Sequence, residues 1–386
     1  MDPGRVRPGG RQDGSGPDSH LRLAIDATPL LGLRSGIGVV TSLLINALAA
    51  RDDLQVAAYA VSLHGRKDLG KELPPGVALI DRRMPDRPLH MAWEHLGRPR
   101  IEWWSGAIDV VHGTNYDVPP ARRAARVVTV NDLSTVRFPE LCQIATRPFP
   151  ARVRRAIAEG AFVHTPSAFV AGEVIELLGA DPAHVRTVPY GVPPVAPAPP
   201  AAAATAGRRH ILAVGTVEGR KDYPTLVRAF DRLAAAHLDV DLVIAGADGG
   251  AEAALDTAIS EAQHKDRITT LGWIGNERRD ALLRAAAVLA YPSLYEGFGL
   301  PPLEAMAVGV PVVATDGGSL PEVLGDGARL VPVGDADALA GALSLILDDE
   351  ATRASQIERG RRQVGRYSWS ACAQGLADLY RDASAT

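Results

Sequence analysis

The chain predicts an α/β protein of two similar domains, each a parallel sheet with helices on both faces. Three observations predict it. Short apolar strands alternate with amphipathic helical runs along the whole length, the pattern of a parallel sheet covered on both sides. A Pro/Ala-rich stretch, 192–208, interrupts that alternation near the middle, and such a composition shift marks a linker. Both halves also carry glycine-rich loops between a strand and a helix, where open α/β sheets bind ligands. At 386 residues the length suits two domains, and 46% hydrophobic against 22% charged residues supplies their cores. A net charge of −4 gives no electrostatic reason to expect a nucleic-acid partner. Cys142 and Cys372, far apart, make neither a disulfide framework nor a metal knuckle and fit a reducing cytoplasm.

Residues 1–20, rich in Gly, Arg and Asp, read as a disordered tail and not as a secretory signal. The first domain is expected over 21–191. Leu21–Asp26 reads as a buried strand ending in an acid. Gly36-Ile37-Gly38 then opens a helical run, 39–50; a tight turn and a phosphate-facing loop both fit this spacing, which is not a full GxGxxG. Further strands are predicted at 56–61, 109–112, 126–130 and 162–164, with helices at 88–104, 146–159 and 167–178. His112 falls at a strand end, and Asn131 and Asp132 follow the next strand. Asn131 can hydrogen-bond a hydroxyl but cannot take a proton at neutral pH; Asp132 suits a turn as well as an acceptor contact. Arg147, Arg152, Arg154 and Arg155 make the 146–159 helix basic. A solvated face is the plainer reading, and a patch for an anionic or lipid-linked acceptor at a membrane surface is the sharper one. Phe149 and Trp103-Trp104 read as core residues. The stretch 187–207 carries no charge, but its six prolines exclude a membrane helix.

The second domain is expected over 209–367. An apolar strand ends in Gly215, and Arg220-Lys221 stand in the loop before a helix at 223–236. Neighbouring cations in such a loop suit a diphosphate, although solvated charges are the plain alternative. Further strands are predicted at 242–245, 268–271, 287–290, 310–314 and 329–331, with helices near 276–286, 301–308 and 336–347. The two Asp-x-Asp triplets, at Asp239 and Asp335, precede a strand and open a helix, so they read as structural and not as a metal motif.

The most informative stretch is 290–322, AYPSLYEGFGLPPLEAMAVGVPVVATDGGSLPE. Glu296 and Glu304 bracket Gly297-Phe298-Gly299-Leu300-Pro301-Pro302-Leu303. The glycines allow a tight loop whose amides face a ligand, and the prolines suit the first turn of a helix holding Glu304. A carboxylate there can accept two hydrogen bonds from a sugar diol.

This segment resembles the E-x7-E signature of retaining GT-B glycosyltransferases of family 4, and flanking residues agree: Pro292-Ser293 before it, Glu304-Ala305-Met306-Ala307 and Gly309-Val310-Pro311-Val312-Val313 after it. The resemblance runs from about Leu21 to Asp382. It implies a GT-B fold whose C-terminal helix, within 368–386, crosses back onto the first domain. It implies that Glu304 binds ribose hydroxyls, that Arg220 and Lys221 neutralise the leaving diphosphate, and that Glu296 and His112 contact the donor sugar. It implies donor contacts from Gly36, Gly38, Gly215, Gly297, Phe298, Gly299 and Leu300, and weaker acceptor contacts from Asn131 and Asp132. No metal or cofactor is expected, because the cations do the neutralising. Two departures stand out: members of the resembled family commonly carry His at position 131 and usually Asn at position 190, where this chain has Asn131 and Tyr190. The motifs 25–30 with Gly36-Ile37-Gly38, and Arg137-Phe138-Pro139-Glu140, resemble bacterial mannosyltransferases of polysaccharide assembly. The expected partners are GDP-mannose, with UDP-sugars as the alternative donors, and a glycan or lipid-linked acceptor, with peripheral contact at the inner membrane face. A sugar-nucleotide epimerase and a non-catalytic sugar-nucleotide-binding subunit are the competing classes.

Overall fold

The computed structural model describes residues 20–31, 36–63, 66–80, 84–196 and 208–386. The expected N-terminal tail and most of the linker lie outside these residues. The first sheet comprises β1 (Leu21–Asp26), β2 (Leu54–Tyr59), β3 (Ala78–Leu79), β4 (Val110–Gly113), β5 (Ala125–Thr129), β6 (Phe162–Thr165) and β7 (Val185–Thr187), ordered β3-β2-β1-β4-β5-β6-β7. The second comprises β8 (Arg209–Val214), β9 (Val240–Ala245), β10 (Ile268–Thr270), β11 (Val288–Tyr291), β12 (Val312–Thr315) and β13 (Arg329–Val331), ordered β10-β9-β8-β11-β12-β13. Every strand pairing is parallel. The order reverses at β1/β4 in one sheet and at β8/β11 in the other. Such switch points open a crevice at the strands' carboxyl ends, and both crevices receive the residues discussed below.

The strands form because their residues are β-branched or small and buried on both faces. Val110, Val111, Val127 and Val128 are fully buried, as are Val288, Leu289, Ala290, Val312 and Val313. The helix Trp369–Ala385 starts at a Ser368 cap and crosses to the first domain, packing on the helix Gly36–Ala49 and on β5. Leu376 and Leu379 vanish from solvent there; burying two leucines is worth roughly 3–6 kcal/mol. Arg186–Asp382 at 2.6 Å adds an exposed ion pair.

Two expectations on local structure need correction, and one helix was missed. The predicted helix 88–104 is two helices, Asp86–Leu96 and Glu102–Ser105, because Gly97 turns left-handed (φ 59°) and Pro99 lacks a backbone donor. Trp103 is 79% exposed and so is not a core residue. The polar helix Glu350–Val364 was not predicted: its buried residues are Gln356, Gly360 and Gln363, which give no apolar period to read. Asp335, as expected, caps a helix, accepting from the amides of Asp337 and Ala338. Asp239 and Asp241 pair with Arg209 and Arg208.

Candidate active site

The site is built around one buried carboxylate. Glu296 leaves β11 on the loop 292–299 and reaches back between two cations. Lys221 Nζ lies 2.5 Å from Oε1 and Arg220 Nη1 lies 3.0 Å from Oε2. The cations are brought there by a short helical turn after β8, Gly219–Lys221, which Asp222 terminates in the left-handed region before capping the next helix through Thr225 N. Lys221 Nζ also donates to the hydroxyl of Tyr291 at 2.8 Å, and Arg220 Nε holds Glu218 at 2.9 Å. Burial alone would push the Glu296 carboxyl up; Lys221 and Arg220 instead hold it down, to about 2. Burial pulls the Lys221 ammonium below its ordinary value, with Glu296 opposing that pull. The two cations thus share Glu296, and Arg220 also holds Glu218, so an incoming anion would compete with these internal carboxylates.

The glycines are fixed by close approach. A Cβ on Gly297 would stand 1.9 Å from the carbonyl oxygen of Asn131 in the first domain, so nothing larger than glycine fits. Gly299, at φ 97°, is the N-cap of the helix Leu300–Ala307, with Pro at its first turn. Asp316-Gly317-Gly318 presses on the same loop: Ser319 N donates to the Glu296 carbonyl at 2.8 Å, and a Cβ on Gly318 would meet that oxygen at 2.4 Å. The Phe298 ring is buried and packs edge-on against Tyr190 and Tyr367. Glu304 is 4% exposed on that helix, with Arg279 Nη1 at 3.3 Å. Burial pushes its carboxyl up to about 7, with the Arg279 charge opposing. Gly215 accepts at its carbonyl from the Tyr223 hydroxyl, 2.8 Å. Gly36 and Gly38 open their helix as expected, but the preceding residues 32–35 lie outside the described ones.

The domains meet at this loop. Leu133 N donates to the Tyr295 hydroxyl at 2.9 Å, which in turn donates to Glu173; Arg137 Nε pairs with Glu173 at 2.8 Å. Ser167 Oγ donates to the Gly297 carbonyl, and Glu322 accepts from the amides of Ala168 and Phe169, all at 2.8 Å. Sequence reasoning missed Tyr291, Tyr295, Glu173, Glu322 and Arg279. Tyr291 and Tyr295 flank the recognised loop and could have been suspected from that position; Arg279 carries no local signal.

The structure overturns one expected site residue. His112 is fully buried beneath the crossing helix, with Nδ1 2.7 Å from the Tyr380 hydroxyl and Nε2 2.7 Å from Thr129 Oγ1. The strand, expected to end at His112, ends at Gly113, and the His112 side chain points to the face that the helix covers. It therefore has no free nitrogen for a sugar. Asp132 takes the plainer role: its Oδ1 accepts from Ser134 N and Oγ, forming a turn. The two departures explain one another. Tyr190 donates its hydroxyl to Asn131 Oδ1 at 2.6 Å, and the same asparagine reaches Asn115 at 3.4 Å. The basic helix is largely paired: Arg155 and Arg152 lie 3.4 and 3.6 Å from Asp117, and Arg154 donates to the Leu177 carbonyl. This disfavours the reading of that helix as an anion patch.

The sequence profile of the glycosyl transferases group 1 matches residues 199–363, and that of the glycosyl transferase 4-like domain matches residues 35–191. A D-inositol 3-phosphate glycosyltransferase of Acidothermus cellulolyticus is 30% identical over 96% of this chain and 91% of its own. The chain belongs to the group 1 glycosyltransferases. The O-antigen chain mannosyltransferase B of Escherichia coli is 29% identical over 76% of this chain and 81% of its own length. A phosphatidyl-myo-inositol mannosyltransferase of Mycolicibacterium smegmatis is 36% identical, but over only 43% of each chain. Among solved structures, sucrose-phosphate synthase of Thermosynechococcus elongatus superposes with a TM-score of 0.74 at 22% identity, over 94% of this chain and 98% of that one. Anabaena Alr3699/HepE in complex with UDP-glucose gives 0.69 at 16%, over 94% and 100%. At these identities the two structures establish the GT-B fold of the group 1 enzyme.

Proposed function

We propose that this glycosyltransferase is a retaining mannosyltransferase that uses GDP-mannose and a glycan or lipid-linked acceptor in cell-envelope polysaccharide synthesis. The observation that carries a nucleotide-sugar site is the Arg220–Glu296–Lys221 cluster, two cations on one buried carboxylate at a switch point, beside a glycine loop and Glu304. The mannosyl reading is supported by two of the relatives above, the O-antigen chain and phosphatidyl-myo-inositol mannosyltransferases. In this reading Glu304 accepts from the ribose hydroxyls, while Arg220 and Lys221 stabilise charge that grows on the diphosphate as the bond from the anomeric carbon breaks. Donors already aimed at developing charge are the largest single source of catalysis in many enzymes. The acceptor oxygen bonds to the same face of the anomeric carbon, and its proton passes to the departing phosphate oxygen. Glu296 steadies positive charge at the anomeric carbon. Charge neutralisation rests on protein cations, so turnover is expected to persist in EDTA. Contact with a membrane surface would use the exposed Met91, Leu96 and Trp103, 61, 72 and 79% accessible, with Arg98 and Arg100 nearby in the chain. The test is to incubate the enzyme with GDP-mannose or UDP-glucose and a panel of methyl glycosides in EDTA, reading the anomeric configuration of the product by NMR. An α-mannoside supports the reading. An inverted product, or transfer from UDP-glucose alone, overturns it.

A further inference from the structure

Arg279 stands between two buried carboxylates. It lies on the helix Asn276–Ala285, and its guanidinium turns a different edge to each. Nη1 faces Glu304 Oε1 at 3.3 Å, while Nε and Nη2 both donate to Asp280 Oδ1, at 3.0 and 2.8 Å. Side chains adjacent in a helix do not ordinarily face one another, so the guanidinium is folded back along its own helix. The side chains of Glu304 and Asp280 are each only 5% exposed, so water does little to balance either charge. Among the described residues no second cation pairs with either.

Asp280 has another contact that keeps it in place. Its Oδ2 accepts from Ala196 N at 3.0 Å, and Arg284, one turn further on, donates to the carbonyls of Ala196 and Val195 at 3.0 and 2.6 Å. Val195 and Ala196 belong to the stretch that joins the domains, so the helix grips the linker with one residue and the ribose site with another. The result is a chain of contacts from the linker through Asp280 and Arg279 to Glu304.

The two neighbours act on Glu304 with opposite sign. The Arg279 charge opposes the effect of burial on its carboxyl, and the Asp280 charge adds to it. The helix Leu300–Ala307 that carries Glu304 packs also on β11, β12 and the helix Glu350–Val364. β12 is Val-Val-Ala-Thr, and the Tyr291 hydroxyl at the end of β11 is taken by Lys221. The helix Glu350–Val364 buries Gln356, Gly360 and Gln363, and its Arg361 pairs with Glu358. A ribose diol donates its hydrogen bonds, and an ionised carboxylate accepts them with both oxygens. A side chain that keeps this carboxylate charged and oriented therefore governs nucleotide affinity without touching the nucleotide.

We propose that Arg279 and Asp280 are positioning residues for the nucleotide: Arg279 holds the Glu304 carboxylate, and Asp280 holds Arg279. The proposal rests on the ribose role given to Glu304 above. The Glu304 carboxyl is titrated by NMR on the full chain labelled with carbon-13 at glutamate carboxyls, its signal assigned by loss in Glu304→Gln. Wild type is compared with Arg279→Met, Arg279→Lys, Asp280→Asn and Arg284→Met, and the affinity of each for GDP and UDP is measured by titration calorimetry across neutral pH. Arg279→Met is expected to raise the midpoint by about one pH unit, as loss of a neighbouring opposite charge does, and to lower nucleotide affinity at pH 7 about fivefold. Arg279→Lys, which keeps the charge, restores most of both. Asp280→Asn keeps an oxygen for Arg279 but removes a like charge, so the midpoint falls, a sign that mere loss of structure does not produce. Arg284→Met loosens the linker and touches neither carboxylate, so the midpoint stays at the wild-type value. An unmoved midpoint in Arg279→Met, a rise in Asp280→Asn, or a rise in Arg284→Met as large as in Arg279→Met overturns the proposal. Midpoints that move as expected while nucleotide affinity stays flat overturn the ribose role of Glu304 instead, so the two failures are told apart.

Discussion

Replacing Glu296 by Gln removes the carboxylate that, alone among the described residues, touches both Lys221 and Arg220, at 2.5 and 3.0 Å. The side chains of Lys221 and Glu296 are only 8 and 9% exposed. Breaking a buried pair by removing one partner costs about 3–5 kcal/mol, because the other charge stays buried. Lys221 recovers part of this by losing its proton, a change that burial already favours. The expected loss is therefore near the lower bound, about 3 kcal/mol, or roughly 6–12 °C for a domain of this size. Nucleotide affinity should move the other way. In the variant Arg220 keeps Glu218 as its carboxylate partner, at 2.9 Å. A nucleoside diphosphate that draws the proton back onto Lys221 takes the place of the lost carboxylate, gaining up to about tenfold in affinity, in line with one charge-assisted hydrogen bond. Turnover falls nonetheless, because Glu296 no longer steadies the sugar. Scanning calorimetry and titration calorimetry with GDP and UDP measure both effects. The double variant Lys221→Met, Glu296→Gln should recover most of the stability. A Glu296→Gln protein as stable as wild type, with unaltered nucleotide affinity, refutes the internal counter-ion argument. The same pair fixes an acid limit. Glu296 has its folded value depressed from 4.5 to about 2, so its stabilisation is present above pH 4.5 and lost as pH falls through that window.

Other outcomes follow from the same geometry. Arg220→Ala should lower kcat far more than nucleotide affinity, by at least about a hundredfold if it stabilises developing charge; single-turnover kinetics with an unchanged rate constant would refute that role. Glu304→Ala should weaken nucleotide binding about tenfold or more. In wild type that affinity should rise with pH through about 7, because the raised carboxyl must ionise to accept two hydroxyls; a flat titration between pH 6 and 8 contradicts the ribose assignment. The stability sign is opposite, since a raised carboxyl favours the fold at low pH and that contribution is lost as pH rises through about 7. His112→Ala should destabilise by about 1–3 kcal/mol, leaving the Tyr380 hydroxyl without its partner, and should leave kcat near wild type. A large kcat defect in a stable His112→Ala protein would restore it to the site.

The parts of the fold legible in the sequence were those with a local period. Buried strands such as Val110–Gly113 and Val288–Tyr291 are continuous apolar runs, and their alternation with helices specified parallel sheets. The loop from Glu296 to Glu304 was legible because close backbone approach demands glycine at 297, a left-handed φ of 97° favours it at 299, and helix entry tolerates Pro301 and Pro302. What could not be read were facts of tertiary placement. Nothing near His112 announces that Tyr380, 268 residues later, will cover it. Nothing at Asn131 or Tyr190 announces that two departures from the family pattern bond to each other. Polar helices such as Glu350–Val364 form on tertiary contacts that sequence periodicity does not record.

The central claim is that Arg220, Lys221, Glu296 and Glu304 form a nucleotide-sugar site. Its most direct test is thermal stabilisation of the purified chain by ADP, CDP, GDP and UDP in EDTA, in wild type and in Glu304→Ala. A ligand that binds only the folded state at a hundredfold excess over its Kd adds about 2.7 kcal/mol. Stabilisation by GDP in the wild type, largely lost in Glu304→Ala, is the expected result. Stabilisation by none of the four, or by GDP equally in both proteins, contradicts the claim.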